Sequence, residues 1–284
     1  SMSISLSIPT LNAGTHLENL LTLLSSQDTR ASEIIIIDSS SEDNTVEIAQ
    51  RFGAKTMVIP RRDFDHGGTR NAAALHALGD ILVFMTQDAL PSRKSLLDVL
   101  TAPIRSGAVS AAYGRQIPRH DASPLEKFIR QFNYPDTPMT KSRSDIQGHG
   151  IKTFFFSNVC SAVKKDAFLS VGMFPDRIRA NEDMILAAKL ILNGHTIAYV
   201  PDAEVIHSHS LSLLSQFRRY FNIGSSLKNN RWILNFAEPE GEGFRFAKEQ
   251  ALFLMKGRRY HWIPYIILES LAKYAGYRMG LIAG

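Results

Sequence analysis

The chain has a single cysteine, Cys160, among 284 residues. One thiol excludes an intramolecular disulfide framework and any cysteine-rich zinc site, and it fits a reducing compartment. Long apolar runs are missing too. The most apolar late stretch, Trp262 to Leu268, is followed by Glu269, Lys273 and Arg278, and is too short and too interrupted to span a bilayer. No basic segment with an apolar core opens the chain, so no secretory leader is expected, and Ser1 ahead of Met2 is set aside as extraneous. Two nucleotide-binding signatures are also lacking. No G-x-G-x-x-G follows the first strand pattern and no G-x-x-x-x-G-K-[ST] occurs, which argues against hydride transfer from a dinucleotide and against P-loop phosphoryl transfer. There is no internal repeat. These absences leave a soluble, cytoplasmic protein as the expectation.

What is present is an apolar fraction of 44%, enough for a sizeable core and too high for a disordered chain. The net charge of +5 is unevenly placed: from Ser210 to Gly284 eleven Lys/Arg stand against five Asp/Glu, so the rest is close to neutral. A nucleic-acid binder spreads basic charge over its main face, and no nucleic-acid partner is expected. Arg218, Arg219, Lys256, Arg258 and Arg259 lie among Phe, Tyr and Trp. Such a face suits an anionic membrane leaflet; a solvated basic surface or a homodimer contact accounts for it equally well.

The first hundred residues alternate strand and helix patterns. Ile4 to Ile8 alternates and stops at Pro9; Leu17, Leu20, Leu21 and Leu24 recur at helical spacing; Glu33 to Asp38 contains four consecutive isoleucines, as in a strand buried on both faces. A helix through Val46, Ala49 and Phe52, a strand over Lys55 to Ile59, a helix over Thr69 to Leu78 and a strand over Asp80 to Met85 follow. This order predicts an α/β fold with a doubly wound, mostly parallel sheet flanked by helices. From Gly114 to Gly150 polar, basic and proline residues dominate around one helical piece, Leu125 to Phe132, the composition of a binding loop or lid. Strands are expected over Ser157 to Val163, Thr196 to Val200 and Ala203 to Ile206, a helix over Met184 to Leu192, and helices after His209.

In such sheets ligands bind outside the carboxyl ends of the strands, so the polar residues there are the candidates. Thr10 and Asn12 follow the first strand, Asp38 with Ser39 to Ser41 the second, and Gln87 with Asp88 the fourth. Asp38 can accept bonds from a base or ribose, or simply cap the next helix. Asp88 can offer a hard oxygen to Mg²⁺ or Mn²⁺ against a diphosphate. In Phe64 to Asn71 the paired glycines Gly67 and Gly68 and the N–H groups at a helix start suit an anion, with His66 and Arg70 beside them; a tight turn with a capping Thr69 explains the same string. Glu182 and Asp183 open a helix, where they favour its dipole or supply a base. His207 and His209, two apart in a strand, point one way and can ligate a metal.

Taken in order, Ile8 to Asn12, Ile36 to Ser41, Phe64 to Asn71, Phe84 to Ala89, Tyr113 to Gln116, Phe155 to Cys160, Asn181 to Met184 and Val205 to His209 resemble the inverting family 2 glycosyltransferases of GT-A fold, and within them rhamnosyltransferase-like members. The resemblance runs from about residue 4 to about residue 225. It implies a nucleotide-sugar site at Thr10, Asn12, Asp38, Ser40, His66, Gly67, Arg70, Gln87 and Asp88. It also implies a divalent metal, Mg²⁺ or Mn²⁺, on Asp88 and His207, and Asp183 as general base, with Glu182 as the second candidate. Asp88 matches the last carboxylate of the family's D-x-D metal motif; the first is replaced by Thr86. The implied division is 3–209 for the transferase domain, with a nucleotide half (3–113) and an acceptor half (114–209), and 210–284 as a helical, basic extension. The expected donor is dTDP-rhamnose and the expected acceptor a glycan or polyprenyl-linked saccharide of bacterial polysaccharide or O-antigen synthesis, at the inner face of the membrane. A UDP-hexose or UDP-N-acetylhexosamine donor, and a sugar-nucleotide-binding subunit without catalysis, are the alternatives.

Overall fold

The computed structural model describes all 284 residues. Nine strands form one sheet: β1 (Ile4–Thr10), β2 (Glu33–Asp38), β3 (Lys55–Val58), β4 (Ile81–Met85), β5 (Leu90–Pro91), β6 (Ala111–Ile117), β7 (Met139–Lys141), β8 (Cys160–Lys164) and β9 (Ile197–Ile206). The helices are α1 (Leu17–Ser25), α2 (Thr45–Arg51), α3 (His66–His76), α4 (Leu96–Arg105), α5 (Pro124–Asn133), α6 (Ile146–His149), α7 (Lys165–Ser170), α8 (Glu182–Leu192), α9 (Leu213–Asn229), α10 (Glu240–Lys256) and α11 (Ile263–Ala283). The sheet order is β3-β2-β1-β4-β8-β6-β9-β5, with β7 on β9. The expected doubly wound half is there: β3, β2, β1 and β4 are mutually parallel. Beyond it the sheet is mixed, because β8 runs antiparallel to both β4 and β6.

Alternation along the central strands divides the core between the two faces of the sheet. Ile35, Ile37, Leu82 and Phe84 pack on one side with α3, α8 and residues of the C-terminal helices, Leu227 and Tyr277 among them. Ile36, Ile81, Val83 and Met85 pack on the other with the leucines of α1 and α4. Cys160 is buried in that second layer, and burial pushes its thiol up to about 12, which leaves it a packing residue rather than a nucleophile.

Three expectations change. Residues 114–150 hold more than a loop around one helical piece: that piece is present as α5, with a Ser123–Glu126 capping box, but β6 also continues to Ile117 and β7 adds an edge strand. The two short strands expected around Val200 and Val205 are one strand, β9, whose register against β6 slips between Gly114 and Arg115. A Cβ on Gly114 would lie 2.4 Å from the Ala203 carbonyl oxygen, so only glycine lets the strands meet at this irregularity. The strand expected from Ser157 begins at Cys160, and the freed residues become part of the site.

No helix is long and apolar enough to cross a membrane. The C-terminal helices instead pack on one another through glycines: a Cβ at Gly224 would lie 2.2 Å from Tyr277 O, and at Gly280 2.1 Å from Phe221 O. Close backbone contact of this kind tolerates no side chain. Gly280→Val is expected to lower stability by about 1–3 kcal/mol through overpacking. Gly243→Ala in α10, where a Cβ meets nothing within 4 Å, is expected to raise it by about 0.5–1 kcal/mol. Denaturant unfolding of both variants measures the contrast.

Candidate active site

The strand order reverses direction around β1, and the crevice outside the carboxyl ends of β1 and β4 is where such sheets bind ligands. Asp38, fully buried, closes this end. Its Oδ1 accepts from Thr10 Oγ1 (2.7 Å) and Ser41 Oγ (2.6 Å), and its Oδ2 from the Ser41 N–H (2.7 Å). Asn12 and Ser40 both adopt left-handed backbone, with φ of 47° and 56°. Asn12 Oδ1 accepts from the Glu42 N–H and Ser40 Oγ donates to Ile59 O. Gln87 spans the crevice, its Oε1 accepting from the Leu11 N–H (2.9 Å) and its Nε2 donating to Leu11 O (3.2 Å).

The start of α3 differs from the anion site its glycines suggested. Asp65 Oδ1 accepts from the N–H groups of Gly67 (3.1 Å) and Gly68 (2.7 Å), so those amides are already taken by a side-chain cap. The glycine at 67 serves close packing: a Cβ there would sit 1.6 Å from Pro175 O. Arg70 is buried and points away from solvent, Nη1 lying 3.6 Å from Glu182 Oε1 and donating to His66 O (3.0 Å). Its Nε is buried without a partner. Burial also lowers the His66 ring against the opposing pull of Glu182.

The carboxylate pair is built at the mouth of α8. Asn181, left-handed at φ 65°, turns the chain into the helix, a conformation asparagine tolerates better than most residues. Asn158 then holds both acids: its side-chain Nδ2 donates to Glu182 Oε1 and its backbone N–H to Asp183 Oδ2, each at 3.3 Å. Ser161 Oγ fixes the Asn158 carbonyl at 3.0 Å. Glu182 is paired with Arg70; Asp183 has no cation in contact. Burial, reinforced by the neighbouring Glu182 charge, raises Asp183 to about 7, the range in which a carboxylate works as a base near neutral pH.

The same cavity also holds Asp88, His207 and His209. Their ligand atoms lie within 4.8 Å of one another; His207 Nε2 is 3.3 Å from Asp88 Oδ1 and His209 Nε2 3.4 Å from Asp88 Oδ2. Burial opposes the charge on Asp88, but the His207 ring outweighs it and keeps the carboxyl well below its usual range. Two imidazoles and one ionised carboxylate converging on a point are a donor set that accepts a divalent cation. Burial and the adjacent His207 lower His209, which favours the neutral ring that ligation needs.

Both groups line one cavity of about 1400 Å³, which also receives His66 and Arg70. Thr10, Asn12, Asp38, Ser40, Gly67 and Gln87 lie outside its wall, at the crevice above β1. Four residues that sequence reasoning missed line it: Gln116, Arg130, Asn158 and Arg219. Gln116 and Asn158 sat inside recognised strings without a role. Arg130 and Arg219 make no side-chain hydrogen bond or ion pair, and Arg130 feels the charges of both Asp88 and Arg219. Nothing in the local sequence of α5 or α9 distinguishes these two from surface arginines.

Comparison with known proteins places this architecture. Residues 5–172 match the model of glycosyl transferase family 2. The O-antigen chain rhamnosyltransferase WbaN of Salmonella anatum is 41% identical over 281 residues, covering 98% of this chain and 89% of the relative. RfbN of Salmonella typhimurium, also an O-antigen chain rhamnosyltransferase, is 39% identical and covered to 90%. Among solved structures, the mannosyltransferase PcManGT of Pyrobaculum calidifontis, in complex with GDP-Man and Mn²⁺, superposes with a TM-score of 0.63 at 16% identity, over 96% of this chain and 87% of that one.

A carboxylate raised to about 7 by burial sets the pH dependence of any reaction that uses its ionised form. Below that pH Asp183 is protonated and unable to accept a proton. kcat/KM is expected to fall about tenfold per pH unit on the acid side. The pH–rate profile measures this, and the residual rate of Asp183→Asn is expected to lack that limb.

Proposed function

The chain belongs to glycosyl transferase family 2 and is a glycosyltransferase, and on that footing we propose that it moves L-rhamnose from dTDP-rhamnose onto a hydroxyl of a lipid-linked saccharide in O-antigen synthesis, with inversion. The observation that carries the reaction is the placement of Asp183, raised by burial and free of a cation, across one cavity from Asp88 and two histidines. The donor reading is supported by two rhamnosyltransferase relatives that match almost end to end.

On this reading Thr10, Asn12, Asp38, Ser40 and Gln87 shape the crevice for base and ribose, and the sugar enters the cavity. Asp183 takes the proton from the acceptor hydroxyl while that oxygen attacks the anomeric carbon. The bond to the diphosphate breaks on the opposite face, so a β-linked donor gives an α-rhamnoside. Glu182, neutralised by Arg70, aligns its neighbour instead of competing for the proton. Arg130 and Arg219 face the departing diphosphate as fixed positive charge. A divalent cation on Asp88, His207 and His209 neutralises diphosphate charge when bound. Two nitrogen ligands favour Mn²⁺ over Mg²⁺, which prefers an all-oxygen shell.

The far wall of the cavity is apolar, with Phe246, Ile263, Ile266 and Leu271 from α10 and α11. A purely water-soluble sugar would have no use for it; an acceptor with a polyprenyl chain would. α11 also exposes Ile267, Leu268 and Ile282, and α10 ends beside exposed Lys256 and Arg258, a combination suited to the surface of an anionic membrane. On this reading residues 3–113 serve the nucleotide, and 114–209 together with the helices after 209 serve the acceptor.

Release of nucleoside diphosphate from a donor panel tests the proposal. dTDP-rhamnose is expected to be turned over in the presence of acceptor and UDP-N-acetylglucosamine not; the reverse preference would overturn the donor. Asp183→Asn is expected to lose about 10²–10⁴-fold in kcat, and an unchanged rate would remove it as the base. EDTA is expected to lower turnover and Mn²⁺ to restore it. In flotation, the full chain is expected to rise with vesicles containing anionic lipid and to stay behind with neutral ones. A chain that dimerises and does not float would assign the apolar face to a second copy instead.

A further inference from the structure

Two of the recognised strings, Tyr113 to Gln116 and Phe155 to Cys160, have residues whose purpose the reaction leaves open. The structure joins them. Gln116, at the end of β6 and buried, lies with its Oε1 2.8 Å from His207 Nδ1, while its Nε2 donates to Tyr134 Oη (2.6 Å) and to Ser157 Oγ (3.0 Å). Tyr134 and Ser157 are themselves on the cavity wall, and Ser157 precedes Asn158, which holds the carboxylate pair.

An amide has one acceptor and one donor end, and here the two hydroxyls occupy the donor end. Its carbonyl end faces His207. A carbonyl can only accept, so Nδ1 must carry the hydrogen. The neutral ring then has its lone pair on Nε2, the atom that faces Asp88 at 3.3 Å. Two acceptors facing each other at that distance need a proton or a metal ion between them; without metal the ring's own proton holds Asp88 ionised, and with His209 alongside the triad can receive the ion in its place. With the amide reversed, Nε2 would carry the hydrogen and the ring could not ligate. Orientation of a metal-binding imidazole by a bond at its other nitrogen is a general requirement of such sites.

We propose that Gln116 is a positioning residue that locks His207 in the Nδ1–H tautomer and so presents its Nε2 lone pair to a divalent cation shared with Asp88 and His209. The assignment rests on the metal reading of that triad. Tyr134 and Ser157 act as the anchors that stop the amide from rotating. Through Ser157 the same strut fixes the spacing between the cation and Asp183.

¹⁵N-histidine NMR of the metal-free full chain reads the tautomer directly, with the His207 signals identified by their loss in His207→Asn. In spectra recorded at high pH, where the ring is neutral, the Nδ1–H pattern is expected; an Nε2–H pattern there overturns the proposal without any metal or substrate being involved. Mn²⁺ titration by calorimetry provides the second arm. Gln116→Leu is expected to weaken Mn²⁺ binding about 10–100-fold. Gln116→Glu, which keeps an acceptor against Nδ1 and lets the two hydroxyls donate to its other oxygen, is expected to stay within a few-fold of the wild type. Equal affinity for wild type and a folded Gln116→Leu overturns the positioning role. Wild type that binds no Mn²⁺ overturns the metal reading itself, and the inference with it.

Discussion

Two adjacent carboxylates in the first turn of a half-buried helix are the constraint around which the rest of this site is arranged. Side by side in a low-dielectric setting they cannot both remain charged without help. The fold resolves this asymmetrically. Arg70 arrives from α3 and pairs with Glu182, while Asp183 receives only N–H groups and no cation. One acid is thereby paired with a cation and the other is left with a raised affinity for protons. The asymmetry therefore depends on where Arg70 is held. The close contact of α3 with the 175–178 segment, which only glycine at position 67 permits, is what sets that position.

The same logic operates on the opposite wall. Asp88 is held ionised by two imidazoles, and a buried amide faces one of them from behind. The two walls come from different parts of the sheet: Asp88 from the end of β4, the histidines from the end of β9, and the acids from the helix between β8 and β9. They meet because β8 is inserted antiparallel between β4 and β6, which brings the loop before it, with Ser157 and Asn158, between metal edge and base edge. The C-terminal helices complete the enclosure. They are part of the main core, and their backbones approach so closely at Gly224 and Gly280 that the apolar wall of the cavity is a fixed surface.

Much of this was legible beforehand for a physical reason. Burial on both faces of a parallel strand demands a continuous apolar run, so β2 announced itself in four isoleucines. The periodic leucines of α1 did the same. Ligand-facing residues had to follow the strands, and Thr10, Asp38 and Asp88 were found by that rule; Asp183 stood out as one of two carboxylates opening a helix, and its role as base came from the family resemblance. Other features had no local signal. In the 114–150 segment the helix α5 was visible, but β7 read as loop because it is three residues long and is held by β9, remote in sequence. The glycine pair of α3 looked like an anion cradle because its capping residue, Asp65, and its packing partner, Pro175, are only visible in three dimensions.

The sequence by itself determined the layered α/β framework, the alternation of strands and helices in the nucleotide half, and the identity of the acids and histidines available for chemistry, since these follow from periodicity, from position next to a strand end or helix start, and from the family resemblance. Only the tertiary structure decided which acid is neutralised and which is free, where Arg70 points, and which nitrogen of His207 faces the cavity. Those outcomes depend on distances between elements far apart in the chain, and on the removal of water from between them. Neither quantity is encoded in any local pattern.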